Sequence, residues 1–149
     1  MSNGIDQTKT LHIYTDGGSR GNPGEAALGV YILDSQKQAV ASIGKRLGVA
    51  TNNVAEYSAI VEGLSWVLLN KKNLSGLLKI DLFMDSQLAA AQLNGLYKIK
   101  NAKLRDLLFE IKKKEAEIGT PITYTFIPRE KNKNADRLVN MALDNRMNS

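Results

Sequence analysis

The order in which apolar patterns follow one another is the tightest constraint on how this chain can fold. Leu11 to Thr15 (LHIYT) alternates apolar and polar residues, and two more β-rich segments, Leu28 to Leu33 and Val40 to Leu47, follow across turn-forming Gly, Pro and Asp residues. The period then changes. Val54, Tyr57, Val61, Leu64 and Leu68 recur at helical spacing, with Asn52 or Asn53 expected as the cap. Leu78 to Met84 reads as a fourth strand, Gln87 to Leu93 and Leu104 to Ile118 as helices, Ile122 to Ile127 as a last strand, and Asn134 to Asn145 as a final helix. Strands separated by helices usually pair in parallel through right-handed crossovers, so this order implies an α/β fold with a mixed sheet.

With 149 residues, 43% of them hydrophobic, one globular domain is expected over residues 11–149, and the first ten residues read as a flexible tail. No apolar run is long enough to span a membrane, and the opening MSNGIDQTKT lacks the apolar stretch of a secretory signal. A soluble, cytoplasmic monomer is the expectation. Cysteine is absent, so disulfides and thiolate metal sites are excluded, and His12 is the single histidine. Any metal would be a hard cation bound by oxygen, Mg²⁺ or Mn²⁺. A net charge of +5 favours a polyanionic partner. The cations fall in two stretches: Lys98, Lys100, Lys103, Arg105 and Lys112 to Lys114 in one, and Arg129, Lys131, Lys133 and Arg137 in the other. Solvated helix faces carry such runs too.

Four carboxylates stand where chemistry could use them. Asp16 and Asp85 are read as the ends of the first and fourth strands, and in open α/β sheets such groups converge on one crevice. Glu56 lies in the first turn of the long helix and Asp136 near the start of the last. Four acids suit a pair of divalent cations about 4 Å apart, an arrangement that activates water and stabilises the leaving oxygen in phosphodiester cleavage. Each acid also has a structural explanation. Asp16 before Gly17 and Gly18 suits a turn, Glu56 three residues after Asn53 suits a capping box, and Asp85 suits an N-cap. Asp136 suits the helix dipole. Spacing alone leaves both readings open.

Taken together, YTDGGSRGNPG (Tyr14 to Gly24), TNNVAEY (Thr51 to Tyr57), MDSQL (Met84 to Leu88) and NKNADRL (Asn132 to Leu138) resemble the ribonuclease HI family, in that order. The resemblance implies a ribonuclease H-like fold, a five-stranded mixed sheet flanked by helices, with Asp16, Glu56, Asp85 and Asp136 holding two Mg²⁺ ions. It implies endonucleolytic cleavage of the RNA strand of an RNA/DNA hybrid by in-line attack of water, leaving 5′-phosphate and 3′-hydroxyl ends. By the same resemblance Asn22, Thr51, Asn52, Asn53 and Gln87 read the minor groove, and Lys100 and Asn101 contact backbone phosphate.

The sequence departs from the family pattern in the loop before Asp136. Where well-known members carry a histidine, it has Pro128, Arg129, Glu130 and Lys131. Arg129 can bind phosphate in a bidentate way but cannot act as a general base, so a role on the phosphate or the leaving product is weighed against that of a solvated loop arginine. The basic insertion that some relatives use to grip substrate is missing, and a separate hybrid-binding domain before the catalytic one is not expected. Cleavage of double-stranded RNA as well, or binding of hybrid without turnover, are the alternatives. A phosphate-binding loop is rejected, because the Gly17 to Gly24 segment lacks the Gly-Lys-Ser/Thr ending.

Overall fold

In the computed structural model, residues 8–95 and 98–144 are described. Strands β1 (Thr10–Gly21), β2 (Gly24–Leu33) and β3 (Ala39–Ala50) form an antiparallel meander, and helix α1 (Asn52–Leu69) follows. Strand β4 (Lys79–Met84), helices α2 (Gln87–Leu93) and α3 (Ala102–Ile118), strand β5 (Ile122–Phe126) and helix α4 (Lys133–Leu143) complete the chain. The five strands lie in the order β3-β2-β1-β4-β5, with β1–β4 and β4–β5 parallel. The expected mixed sheet is therefore present, and its one change of direction from antiparallel to parallel pairing falls on β1.

The last residues of the expected tail are held by the fold. Thr8 is buried, and the backbone N–H groups of Lys9 and Thr10 donate to Ser35 Oγ at 2.9 and 3.0 Å. Residues 8–10 are thus part of the fold rather than of a flexible tail, since these amides are tied to the β2–β3 turn. The rest of the expected tail, residues 1–7, and the expected helix end at Asn145 lie outside the described residues.

Helix α1 is sandwiched between the sheet and α3, and its buried face is wider than the stripe that periodicity suggests: Tyr57 and Leu64 of that stripe are buried. Ala55, Ala59, Ile60, Gly63, Leu64 and Val67 are buried, whereas Val54, Val61 and Leu68 are only partly so. The small residues at i, i+4 and i+8 let the helix backbone come down on the strands. A Cβ at Gly63 would stand 3.2 Å from Ile13 Cγ2 and 3.6 Å from Val30 Cγ1. On the opposite face of the sheet, α4 buries Ala135, Leu138, Val139 and Ala142, the i, i+3, i+4, i+7 pattern of a one-sided helix. Among the described residues no helix is long and apolar enough to cross a membrane.

Candidate active site

The site forms where β1 and β4 run side by side and α1 and α4 arrive from opposite faces. The parallel register pairs Tyr14 with Phe83, and Thr15 Oγ1 donates to the carbonyl of Phe83 at 3.2 Å. Asp16 lies two residues further along β1 and Asp85 directly after the end of β4, so the pairing of these strands carries the two acids to the same end of the sheet.

Asp16 does not end its strand, as its Gly-Gly sequel suggests. Strand β1 continues to Gly21, and Asp16 pairs with Gly29 of β2. The glycines serve packing instead. A Cβ on Gly17 would lie 2.2 Å from the carbonyl carbon of Ala55 and 2.4 Å from the amide nitrogen of Glu56. A Cβ on Gly29 would lie 2.3 Å from the carbonyl oxygen of Ala135, the residue before Asp136. One glycine seats the turn of α1 that bears Glu56, and the other seats the turn of α4 that bears Asp136. Both carboxylates are brought to Asp16 by backbone contact that any side chain would block.

The alternative capping explanations are also corrected by the structure. Thr51, not Asn52 or Asn53, caps α1, accepting from Val54 N at 3.2 Å. Glu56 therefore stands too far along the helix for a capping box. Ser86, not Asp85, caps α2, accepting from Ala89 N at 3.1 Å, and the Ser86 side chain also hydrogen-bonds Glu56. Asp136 does lie in the first turn of α4.

Electrostatics show how tightly the acids are gathered. Burial, then the charges of Asp85 and Asp136, push the Asp16 carboxyl up to about 8, against a stabilising N–H of Gly17 and with Glu56 adding to the rise. Burial and Asp85 raise Glu56 to about 7, opposed by the Ser86 hydrogen bond and the positive charge of Arg129. A cavity of about 390 Å³ is lined by Asp16, Asn52, Glu56, Arg129 and Asp136 among others, and a smaller cleft by Asp16, Glu56 and Asp85. Among the described residues no group of three or more acidic or histidine side chains is already arranged to hold an ion. The donor set of four carboxylates, two of them with raised pKa, carries a like-charge repulsion that a hard divalent cation would relieve. The residues therefore fit Mg²⁺ or Mn²⁺ in chemistry and charge.

Of the other expected site residues, Asn22, Thr51 and Asn52 gather where the β1–β2 turn meets the start of α1. Asn52 N donates to Asn22 Oδ1 at 3.0 Å, and Ser19 N donates to Asn52 Oδ1 at 2.9 Å. Asn53 and Gln87 are exposed in the first turns of α1 and α2. Lys100 and Asn101 stand apart from this group: Lys100 is exposed and Asn101 caps α3 through Leu104 N at 3.0 Å. Arg129 is exposed in the short 3₁₀ turn before α4.

Sequence reasoning missed Asn132. This residue is fully buried, and its Nδ2 donates to the carbonyl of Thr15 at 2.9 Å and to Asp85 Oδ2 at 3.1 Å, tying β1, β4 and α4 together at the site. Its Oδ1 is buried without a partner. The available signal was its place at the head of the NKNADRL segment. Replacing Asn132 by Ala is expected to lower stability by about 2–3 kcal/mol in urea unfolding, because a buried carbonyl and a carboxylate both lose their donor.

A five-stranded mixed sheet in this order, with acids from β1, α1, β4 and α4 meeting over its middle strands, is the ribonuclease H-like architecture. The reverse transcriptase-like family matches residues 14–142. Ribonuclease HI of Halobacterium salinarum is 37% identical over 140 residues, covering 93% of this chain and 67% of that protein. The bifunctional protein Rv2228c of Mycobacterium tuberculosis is 36% identical over 133 residues, 89% of this chain. The chain spans 35% of the length of that relative. Among solved structures, LC11-RNase H1 in complex with RNA/DNA hybrid superposes with a TM-score of 0.84 at 36% identity, covering 93% of this chain and 99% of that one. The chain belongs to the ribonuclease HI family.

Proposed function

We propose that this protein is an endonuclease that hydrolyses the RNA strand of RNA/DNA hybrids, with Asp16, Glu56, Asp85 and Asp136 as the residues that hold two Mg²⁺ ions, or Mn²⁺ in their place. The convergence of these four carboxylates, each delivered by a different element, carries the reading. When bound, the ions would polarise the scissile phosphate and lower the pKa of water at the site. The protein's own residues do the rest. Asp16 is fixed by its pairing with β2, Asp85 by the Asn132 hydrogen bond, Glu56 by Gly17 and by Ser86, and Asp136 by Gly29. This rigid placement minimises reorganisation when a phosphodiester arrives.

Asn22, Thr51, Asn52, Asn53 and Gln87 are assigned to the minor groove of the hybrid, which is wide, shallow and lined by 2′-hydroxyls and base edges. Lys100 and Asn101 are assigned to backbone phosphate. Arg129 lines the same cavity as Asp16 and Asp136 and lowers the pKa of Glu56, so it is assigned to the phosphate or the leaving product. As a guanidinium it moves no proton at neutral pH. The solved hybrid complex of LC11-RNase H1 supports the substrate class.

A panel of end-labelled hybrid, duplex RNA, duplex DNA and single-stranded RNA, incubated with Mg²⁺ and with Mn²⁺, tests the reading. Cleavage confined to the RNA of the hybrid, with 5′-phosphate and 3′-hydroxyl termini, is the expected outcome. Equal rates on duplex RNA would widen the substrate, and binding without cleavage under either metal would refute the enzyme assignment. Arg129→Ala is expected to lower turnover by about tenfold in the same assay, with the hybrid still bound.

A further inference from the structure

Two of the residues assigned to the minor groove, Asn22 and Asn52, share a feature that the backbone amides facing them impose. An asparagine amide has one accepting end and one donating end, and which end faces outward depends on what holds the other. Backbone N–H groups are donors without ambiguity, so an amide atom facing one must be the oxygen. At Asn52 that atom receives Ser19 N at 2.9 Å, and the Ser19 hydroxyl lies 3.1 Å from it. At Asn22 the oxygen receives Asn52 N at 3.0 Å. The two amides are thus linked in series, β1 to α1 and α1 back to the β1–β2 turn, each with its oxygen turned inward. Thr51 Oγ1 also accepts from Val54 N at 3.2 Å, and its hydroxyl keeps both a proton and a lone pair to present outward.

We propose that the Asn22 and Asn52 amides present their donating ends at this edge, and that Asn52, held by Ser19 and coupled to Asn22, therefore selects against a guanine 2-amino group in the base pair that faces it. The proposal rests on the hybrid-cleaving function proposed above. In the minor groove every base pair offers acceptors, purine N3 and pyrimidine O2, and only a G·C pair adds a donor, the guanine N2 amino group. A donor facing that amino group leaves both without a partner, a penalty comparable to the loss of one good hydrogen bond. An A·T, A·U or inosine·C pair presents only acceptors to the same amides. Ser19 is a positioning residue here: it touches no base in this arrangement and fixes which end of Asn52 does.

Walking a single G·C pair along a 20-mer hybrid, and replacing its guanine by inosine at each step, isolates the amino group from the rest of the base. At the one or two positions that face Asn22 and Asn52, inosine should raise kcat/KM for the nearest cleavage by about fivefold, and elsewhere leave it unchanged. At the same positions 2,6-diaminopurine in place of adenine should lower it, although it strengthens the pair, which separates the effect from duplex stability. Asn52→Asp keeps the oxygen that Ser19 N requires and removes the outward donor. In that variant the inosine-to-guanine ratio at those positions should fall to one or below, whatever the change in overall rate. Ser19→Gly, which keeps only the backbone donor, should reduce the ratio through KM, and Ser19→Thr should restore it. An inosine effect that is equal at all positions, or none at all on a hybrid that is cleaved, would overturn the proposal while leaving the function intact. Absence of any hybrid cleavage would instead remove the function on which it rests.

Discussion

Asp16→Asn is expected to abolish hybrid cleavage, by about 10³-fold or more, and at the same time to make the protein more stable at pH 8 without divalent cations. The first effect follows from removing the carboxylate at the centre of the acid cluster. The second follows from linkage. The Asp16 pKa, ordinarily 3.8, is pushed up to about 8 by burial and by Asp85 and Asp136, and Glu56 is raised to about 7. An acid whose pKa is higher in the folded chain binds its proton more tightly there, so the folded state carries more protons between about pH 4 and 8. The stability this confers is fully present below the unfolded pKa and is lost as pH rises through the folded value. Asparagine has no proton to lose, so the variant escapes that loss. After discounting for partial solvent exposure, the gain at pH 8 should be roughly 2 kcal/mol, or about 5 °C in Tm, and should vanish near pH 4. Thermal unfolding followed by circular dichroism at the two pH values reads it directly. Mg²⁺ should narrow the gap by stabilising only the parent protein, since ionised carboxylates are what it binds.

A methyl group at residue 17 should be nearly as damaging as loss of an acid, although it removes no reactive group. In Gly17→Ala the new Cβ would stand 2.2 Å from the Ala55 carbonyl carbon and 2.3 Å from its oxygen. These are backbone atoms in the first turns of α1 and cannot rotate away as a side chain could. The helix must move off the sheet, with a loss of about 3 kcal/mol or more in stability and on the order of 100-fold in cleavage, because Glu56 travels with it. Gly18→Ala is the internal control. Its Cβ would meet only Val139 Cγ1, at 4.0 Å, an ordinary contact, so its stability should change by less than about 0.5 kcal/mol. Guanidinium unfolding and hybrid cleavage of the two variants side by side distinguish a packing role for Gly17 from a general intolerance of the segment.

This contrast also shows what a single sequence can and cannot reveal about the site. The strand and helix order was legible from periodicity, because the sheet alternates faces over β1, β4 and β5 and α4 buries one regular stripe. The four acids were legible as candidates through their motifs. Their local roles were not. Asp-Gly-Gly signals a turn, and only the arrival of α1 at Gly17 and of α4 at Gly29 shows that the two glycines are contact points within strands. The true turn lies further on, at Asn22 and Pro23. Helix α1 misled in a related way. A helix packed on two sides also uses Ala55, Ala59 and Gly63 against the sheet, and a search for large apolar residues finds Tyr57 and Leu64 but not this second, small-residue face. Asn132 escaped notice because a polar residue in a charged segment reads as solvent-facing, whereas it is the buried strut between Thr15 and Asp85. In each case the missing information was long-range: which backbone approaches which residue is set by tertiary packing and leaves no local period.

The most direct measurement is cleavage of a hybrid labelled on its RNA strand, by the parent protein and by Asp85→Asn, in Mg²⁺, alongside binding of the same hybrid in Ca²⁺. The parent should cut the RNA strand, and the variant, with the Asn132 contact retained and one carboxylate lost, should bind the hybrid but leave it whole. Undiminished cutting by Asp85→Asn would contradict the assignment of the carboxylate cluster as the reactive centre.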